Sequence, residues 1–416
     1  MESTSAVVII ETPIQIRDSK TNVVLDFNMS LPVSSELNAL DENIVEAFKQ
    51  RSAYLEEVNR ARDPIQRLPA EVASSIFVFC LPRLPSLDIF DATSKNVLND
   101  IARQKAQFLL GAICRRWRRI VWSTSELWNI LRLQVSDRTT VTYSQMVADR
   151  LCRSGQLPLF IDVSFLEIDP DSDDPFNISA VTKDIIDTLC HHIDRMKVVH
   201  LSLPVPLLQR FRNPRTRTND RMLEKLFVEL YGDAEEDLLF DLGDSGPTHV
   251  SFRKINYRAI NIRWDNVTSL QAPELYNYDA LQILQLTPKL EVFEFSITTD
   301  YRGGGPVELP QVTHLSLRTL RLTVDATRAF PDFITCPAMN ELSSLEPSVS
   351  LVNFLGRSAC ILKKLSLLGS GGVDDLLSVL WLTPSLTHLS LGRHGIPDEL
   401  LPCFAKTDFL PHLLSF

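Results

Sequence analysis

The chain has 416 residues, 44% of them hydrophobic and 23% charged, with a formal net charge of −10. That balance is ordinary for a globular protein and long enough for two to three structural units. The acidic charge argues against a general binder of nucleic acid or anionic membranes, and no segment reaches the roughly 18 apolar residues of a membrane span.

Residues 1–35 show no clear period. Val7–Ile16 alternates enough for a strand, and Val23–Phe27 for another, but the segment stays unassigned. Val7–Ile10 follows Glu2 and lacks a basic start, so no secretory signal is expected. Residues 36–62 read as a helix: Leu37, Leu40, Ile44, Phe48, Leu55 and Val58 recur at three-, four- and seven-residue steps. Acidic Asp41 and Glu42, then basic Arg60 and Arg62, suit the helix dipole. Asp63-Pro64 disfavours continuation. A solvent-facing helix packed on the next module is one reading of this segment, and a dimerising coiled coil with few heptads is another.

Residues 63–131 form the next unit, with two amphipathic helices separated by a variable stretch, 83–107. Pro69 fits a first helical turn, where its missing N–H costs nothing. Val72, Ile76 and Phe79/Cys80 then lie on one side. In the second helix Leu110, Ile113, Cys114, Trp117, Ile120 and Val121 make an apolar stripe. So short a set of helices closes only a thin core, and the apolar surface left over marks a partner site. Residues 132–194 read as a linking α/β region.

From about residue 195 short apolar alternations recur. Leu281, Leu284, Leu286, Thr287, Pro288, Leu290, Phe293 and Phe295 match Leu377, Leu380, Leu382, Thr383, Pro384, Leu386, Leu389 and Leu391, every pair offset by 96 residues. The pattern apolar-x-x-Leu/Phe-x-apolar begins at Val267, Leu290, Val312, Leu362 and Leu386, with a weaker copy at Met339. An earlier copy begins at Val198, with room for about three units before Val267. A period in the twenties is the leucine-rich-repeat signature: one unit cannot cover its own apolar face, and stacked neighbours cover it together. The missing Asn and drifting lengths predict an irregular solenoid of parallel strands with short helices. Its outward positions are expected to include Glu291, Glu294, His314, Ser316, Lys363, Ser366, His388 and Ser390, a mixed surface suited to protein recognition. Leu410, Leu413 and Phe416 look like the start of a further repeat.

Seven cysteines, Cys80, Cys114, Cys152, Cys190, Cys336, Cys360 and Cys403, are odd in number and widely spaced. Zinc and disulfide frameworks are therefore unsupported, and reduced thiols in a cytoplasmic or nuclear protein are expected.

The Leu68-Pro69-x-Glu71-Val72 opening, the Cys114-x-x-Trp117 helix and the closing Leu127-Trp128 resemble the F-box. The preceding helix, the Arg357-Ser358-x-Cys360 step and the Thr-Pro-x-Leu steps at Thr287 and Thr383 extend the resemblance to fungal-type F-box proteins with degenerate leucine-rich tails, over roughly residues 36–416. The 83–107 insertion departs from that layout. The resemblance implies docking on the Skp-family adaptor of a cullin-based (SCF-type) ubiquitin ligase, through Leu68, Pro69, Val72, Ile76 and Leu81, with Cys114 and Trp117 half core and half interface. The repeats would then hold an unidentified target protein. A ligase-independent interaction scaffold stands as the alternative.

Arg115, Arg116, Arg118 and Arg119 surround Trp117, simplest as a solvated helix face, with contact to an acidic adaptor or to nucleic acid as the alternatives. Arg210, Arg212, Arg215, Arg217 and Arg221 form a second basic cluster, simplest as an exposed loop, with phosphate recognition as the alternative. Asp169–Asp174 reads as a loop. No phosphate loop or nucleophile-elbow serine occurs, and Gly303-Gly304-Gly305-Pro306 lacks the Lys-Ser/Thr of such a loop. His191-His192 reads as an exposed helix segment rather than a metal site. No enzyme activity, cofactor or metal is expected.

Overall fold

The computed structural model describes residues 33–62, 64–81, 97–166, 178–211, 222–231, 240–297, 309–322, 330–344, 346–369, 372–392 and 398–415. The strands expected within 1–35, most of the Arg210–Arg221 cluster, Asp169–Asp174 and Gly303–Gly305 lie outside these residues. The chain divides into two compact units, 1–69 and 70–416.

In the first unit, helix α1 runs over Val33–Arg62. It stops where Asp63-Pro64 disfavours a further turn. A 3₁₀ turn, Pro64–Arg67, follows, with Ile65 buried and its carbonyl accepting from the Leu68 N–H at 3.1 Å.

The second unit opens with three helices, α2 (Ala70–Cys80), α3 (Val97–Ile113) and α4 (Arg115–Ser123). The stripe read as one second helix is broken. Cys114 is extended (φ −156°, ψ 169°) and caps α4, its Sγ accepting from the Trp117 N–H at 3.4 Å. The Arg118 Nε donates to the Gly111 carbonyl at 2.9 Å across the corner. Ile113 therefore faces solvent while Ile120 and Val121 are buried.

The rest is a mixed α/β arrangement around one large parallel sheet. Strand β1 (Ile130–Val135) is joined through α5 (Val141–Arg153) to β2 (Leu159–Phe165), and this through α6 (Ala180–Cys190) to β3 (Met196–Leu203). Then come α7 (Val205–Leu208), β4 (Lys225–Leu230), β5 (Phe240–Asp241), β6 (His249–Arg253), β7 (Ile260–Asn261) and β8 (Ser269–Leu275). After α8 (Asn277–Leu286) lie β9 (Val292–Ile297), β10 (Val312–Thr313), β11 (Thr319–Leu322), β12 (Ile334–Thr335) and β13 (Glu341–Ser344). The last elements are α9 (Val349–Ser358), β14 (Lys364–Leu367), α10 (Val373–Trp381), β15 (His388–Leu391) and α11 (Leu401–Phe404). Eleven strands pair in chain order, β1-β2-β3-β4-β6-β8-β9-β11-β13-β14-β15, while β5–β7 and β10–β12 form separate two-stranded parallel pairs.

The register explains the core. Leu131, Ile161, Val199, Leu226, Val250, Leu270, Phe293, Leu320, Leu342, Leu365 and Leu389 are successive ladder partners, one per strand. All eleven are buried. Each such side chain contributes about 1.5–3 kcal/mol of burial, and each but Leu131 and Leu389 on the end strands is flanked by a strand on either side. Parallel strands need crossovers, and hydroxyl caps start several of these. Thr140 accepts from the Tyr143 N–H on α5, Ser179 from Thr182 on α6 and Ser348 from Leu351 on α9.

The repeated Thr-Pro step is a helix terminator. Thr287 and Thr383 are both buried, and each donates its hydroxyl to the carbonyl four residues back, Ile283 at 2.7 Å and Val379 at 3.1 Å. The carbonyls of Thr287 and Thr383 themselves accept from the N–H of the following repeat leucine, Leu290 and Leu386 respectively. The Arg357-Ser358 step stitches one unit to the one before. Arg357 donates to the carbonyls of Pro331 and Ile334, and the buried Ser358 hydroxyl accepts from the Cys336 N–H at 3.0 Å.

Three expectations change. The sheet starts at Ile130, across the boundary between the 63–131 unit and the linking region 132–194, and not near 195. Two main-sheet strands, β4 and β6, fill the gap after Val198 for which about three units had room. The unit placed at Val312 is shifted: Val312–Thr313 pairs with Ile334–Thr335, and the main-sheet strand follows Leu317, as Leu317-x-x-Leu320-x-Leu322.

Candidate functional site

Two surfaces collect the residues singled out from the sequence. The first is on the three helices. α2 carries apolar residues on two sides. Ala73, Phe77 and Leu81 are buried, and the Phe77 ring lies 4.7 Å from that of Trp117. On the other side Val72 is 44% and Phe79 83% exposed, with Ile76 half-buried between them. α3 presents Leu109 and Ile113 to solvent. Below this surface the core is tied together by specific contacts. Trp128 is buried, donates Nε1–H to the Val121 carbonyl at 2.9 Å, and meets the Phe108 ring edge-on at 5.6 Å. The Arg150 guanidinium sits over Phe108, and that of Arg153 over Trp122 and Trp128. Burial lowers the Arg150 pKa and raises that of Tyr143.

Of the expected docking residues, Val72 is open and Ile76 partly so. Leu81 is not: it is buried within the helical core, because the helix period turns it to the Phe77 side. Cys114 and Trp117 are half-buried, the former engaged as a cap and the latter against Phe77. In the first unit Leu68 is half-buried and Pro69 exposed.

The second surface is the polar row beside the apolar one. Arg132, Asp162, His200, Phe227, Ser251, Gln271, Glu294, Arg321, Ser343, Ser366 and Ser390 are successive ladder partners. Its first strands are tied by charge. Asp162 accepts from Arg132 Nε and bonds His200 Nδ1 at 2.7 Å, and His200 meets the Phe227 ring edge-on at 4.1 Å. Burial opposes ionisation of Asp162, but the His200 bond and charge, with those of Arg132, outweigh it and hold the carboxyl below its ordinary range. In the middle, Gln271 donates to Glu294 at 3.2 Å, and Arg321 reaches Glu294 at 3.5 Å and Glu341 at 2.9 Å. The Glu341 hydrogen bond, with both carboxylate charges, raises the Arg321 pKa. The last strands carry Ser343, Ser366 and Ser390, with His388 and Lys364 exposed in the neighbouring row.

The expected outward residues divide accordingly. Glu294, Ser366, His388 and Ser390 stand on the strands as read. Glu291, Ser316 and Lys363 lie in the turns that lead into β9, β11 and β14, Glu291 reaching Arg318 at 4.0 Å. His314 is a correction. It is buried, its Nε2 bonds the Thr287 carbonyl at 2.9 Å, and its Nδ1 accepts from the Leu317 N–H at 3.1 Å. It holds the turn between β10 and β11, and burial lowers its pKa, partly offset by the Thr287 bond. The residues missed in sequence are Arg132, Asp162, His200, Phe227, Arg321 and Glu341. The alternations Leu131-x-Leu133-x-Val135 and Leu159-x-Ile161-x-Val163-x-Phe165 carry the signal for the first ones.

His191 caps the end of α6, its Nδ1 2.6 Å from the Asp187 carbonyl. It lines a cleft of about 450 Å³ with Cys152, His192, Asp194 and Arg195. Burial, then the charges of Arg195 and His191, lower the His192 pKa. Among the described residues no group of three His, Cys, Asp or Glu side chains is placed to hold a metal ion, and no helix is long and apolar enough to cross a membrane. Compared with models of known protein families the chain matches none, and no curated protein matches it.

Proposed function

We propose that this chain is a non-enzymatic substrate-recognition adaptor of a cullin-based ubiquitin ligase. Its F-box-like helices dock on the Skp-family adaptor, and a leucine-rich-repeat solenoid holds the target protein. The observation that carries the reading is the second apolar side of α2: Val72 and Phe79 stay in solvent although Phe77 and Ala73 already fill the core. A helix apolar on two sides needs two partners, and the described residues of the protein supply one. The in-register polar row supports the other half of the proposal. Rigid strands hold its side chains at fixed spacing, as recognition of a folded or extended protein partner requires. The action is proximity: a target held on the sheet is kept near the transferring enzyme.

Coexpression of the full chain with the adaptor tests this. A stable complex is expected, lost in Val72→Glu/Phe79→Glu and in Leu68→Glu/Pro69→Glu while helix content is retained. Folded wild-type protein that forms no complex refutes the docking half. A ligase-independent scaffold is the second reading, favoured by the insertion and by the length of α3, which begins at Val97. Target binding that persists in cells without any adaptor association supports it.

A further inference from the structure

The 30-residue helix α1 is long, and among the described residues nothing covers its apolar seam. Leu40, Ile44, Phe48 and Leu55 are all exposed, between 45% and 63%. Most helical stability in water comes from packing an apolar stripe, not from intrinsic propensity. Such a seam therefore calls for an occupant. On a 3.6-residue helix these four, with Arg51, fall within one side about 80° wide, the width of a coiled-coil seam, and the exposed Val45 and Tyr54 flank it on either side.

Charge selects the occupant. Residues 33–47 contain Glu36, Asp41, Glu42 and Glu46 and no Lys or Arg, so this half carries −4. Residues 48–62 contain Lys49, Arg51, Arg60 and Arg62 against Glu56 and Glu57, so the other half carries +2. A parallel copy would set acid on acid, base on base and Arg51 on Arg51. An antiparallel copy sets each acidic half on a basic one. With the two-fold axis between Ala47 and Phe48, Leu40 lies opposite Leu55, and Arg51 lies opposite Ile44 in the acidic half. We infer that α1 pairs antiparallel with the α1 of a second copy of this chain, making the protein a homodimer through a segment separate from both surfaces described above.

Light scattering on the full chain at micromolar concentration tests this. The mass of two chains is expected, halving in Ile44→Glu/Phe48→Glu with far-ultraviolet helix content otherwise kept. The dimer should weaken as salt is raised, since exposed charges are screened beyond about 8 Å at physiological ionic strength. Orientation is read by oxidative cross-linking over the wild-type background. Ala47→Cys chains, close to the axis, should join to one another. Leu40→Cys chains should join only to Leu55→Cys chains, because those two seam positions face each other across the axis. A single-chain mass for the wild type overturns the inference, as does a dimer indifferent to the seam variant. Self-joining of Leu40→Cys chains overturns the antiparallel orientation.

Discussion

Phe77 and Phe79 are two residues apart on one helix and differ in what surrounds them. Phe77 is 1% exposed and packs its ring on Trp117, whereas Phe79 is 83% exposed. Truncating a buried Phe costs about 3–5 kcal/mol in lost burial and cavity. An exposed Phe away from any network costs within about 0.5 kcal/mol. Three kcal/mol corresponds to roughly 150-fold in an opening equilibrium. Phe77→Ala is therefore expected to speed hydrogen exchange of the α2 and α4 amides by about two orders of magnitude. Phe79→Ala is expected to leave exchange nearly unchanged and to weaken adaptor capture instead. Mass-spectrometric exchange on the full chain, paired with capture on immobilised adaptor, separates the two. If Phe79→Ala loosens α2 as much as Phe77→Ala does, the side taken here as open belongs to the core, and the docking argument fails.

Three further outcomes follow from the contacts described. His314 is held neutral by donating to Thr287 and accepting from Leu317. Its folded pKa is depressed, so the unfolded state takes the proton first. The stability it contributes is whole above its ordinary pKa of about 6.5 and falls away as pH drops below it; exchange of the Leu317 amide should accelerate between neutral and mildly acidic pH, and His314→Gln should lose that dependence. Thr287→Val and Thr383→Val each remove a buried hydroxyl bond at equivalent places, so each should cost about 1 kcal/mol in urea unfolding, alike within a few tenths. Burial pushes the thiols of Cys190 and Cys336 up to about 12, so a thiol reagent should modify exposed Cys80 and Cys152 first and reach those two only on unfolding.

What could be read from the sequence was what repeats. The 96-residue offset located both Thr-Pro terminators, and the Leu-x-x-Leu-x-Leu pattern located β8, β9, β14 and β15, because burial on one strand side imposes a period of two. The Val312 unit went astray because two templates overlap there. Leu315 and Leu317 fit one, Leu317, Leu320 and Leu322 the other, and only three-dimensional pairing chooses the second. Leu315 is 72% exposed, which a pattern of residue types does not reveal. β1 and β2 were overlooked because long helical crossovers, α5 and α6, stretch their spacing far beyond a period in the twenties. The charge ladder of Arg132, Asp162 and His200 was hidden for the same reason: its members are 30 and 38 residues apart. The break at Cys114 rests on a backbone turn that an uninterrupted apolar period conceals.

The pairing of the main sheet in chain order bears on how the protein is made. Between the end strands β1 and β15, each strand of that sheet lies against the one preceding it in the sheet and the one following. A strand emerging from the ribosome therefore has its sheet neighbour already synthesised, so the pairing needs no residue made later in the chain. The topology thus permits assembly in the order of synthesis.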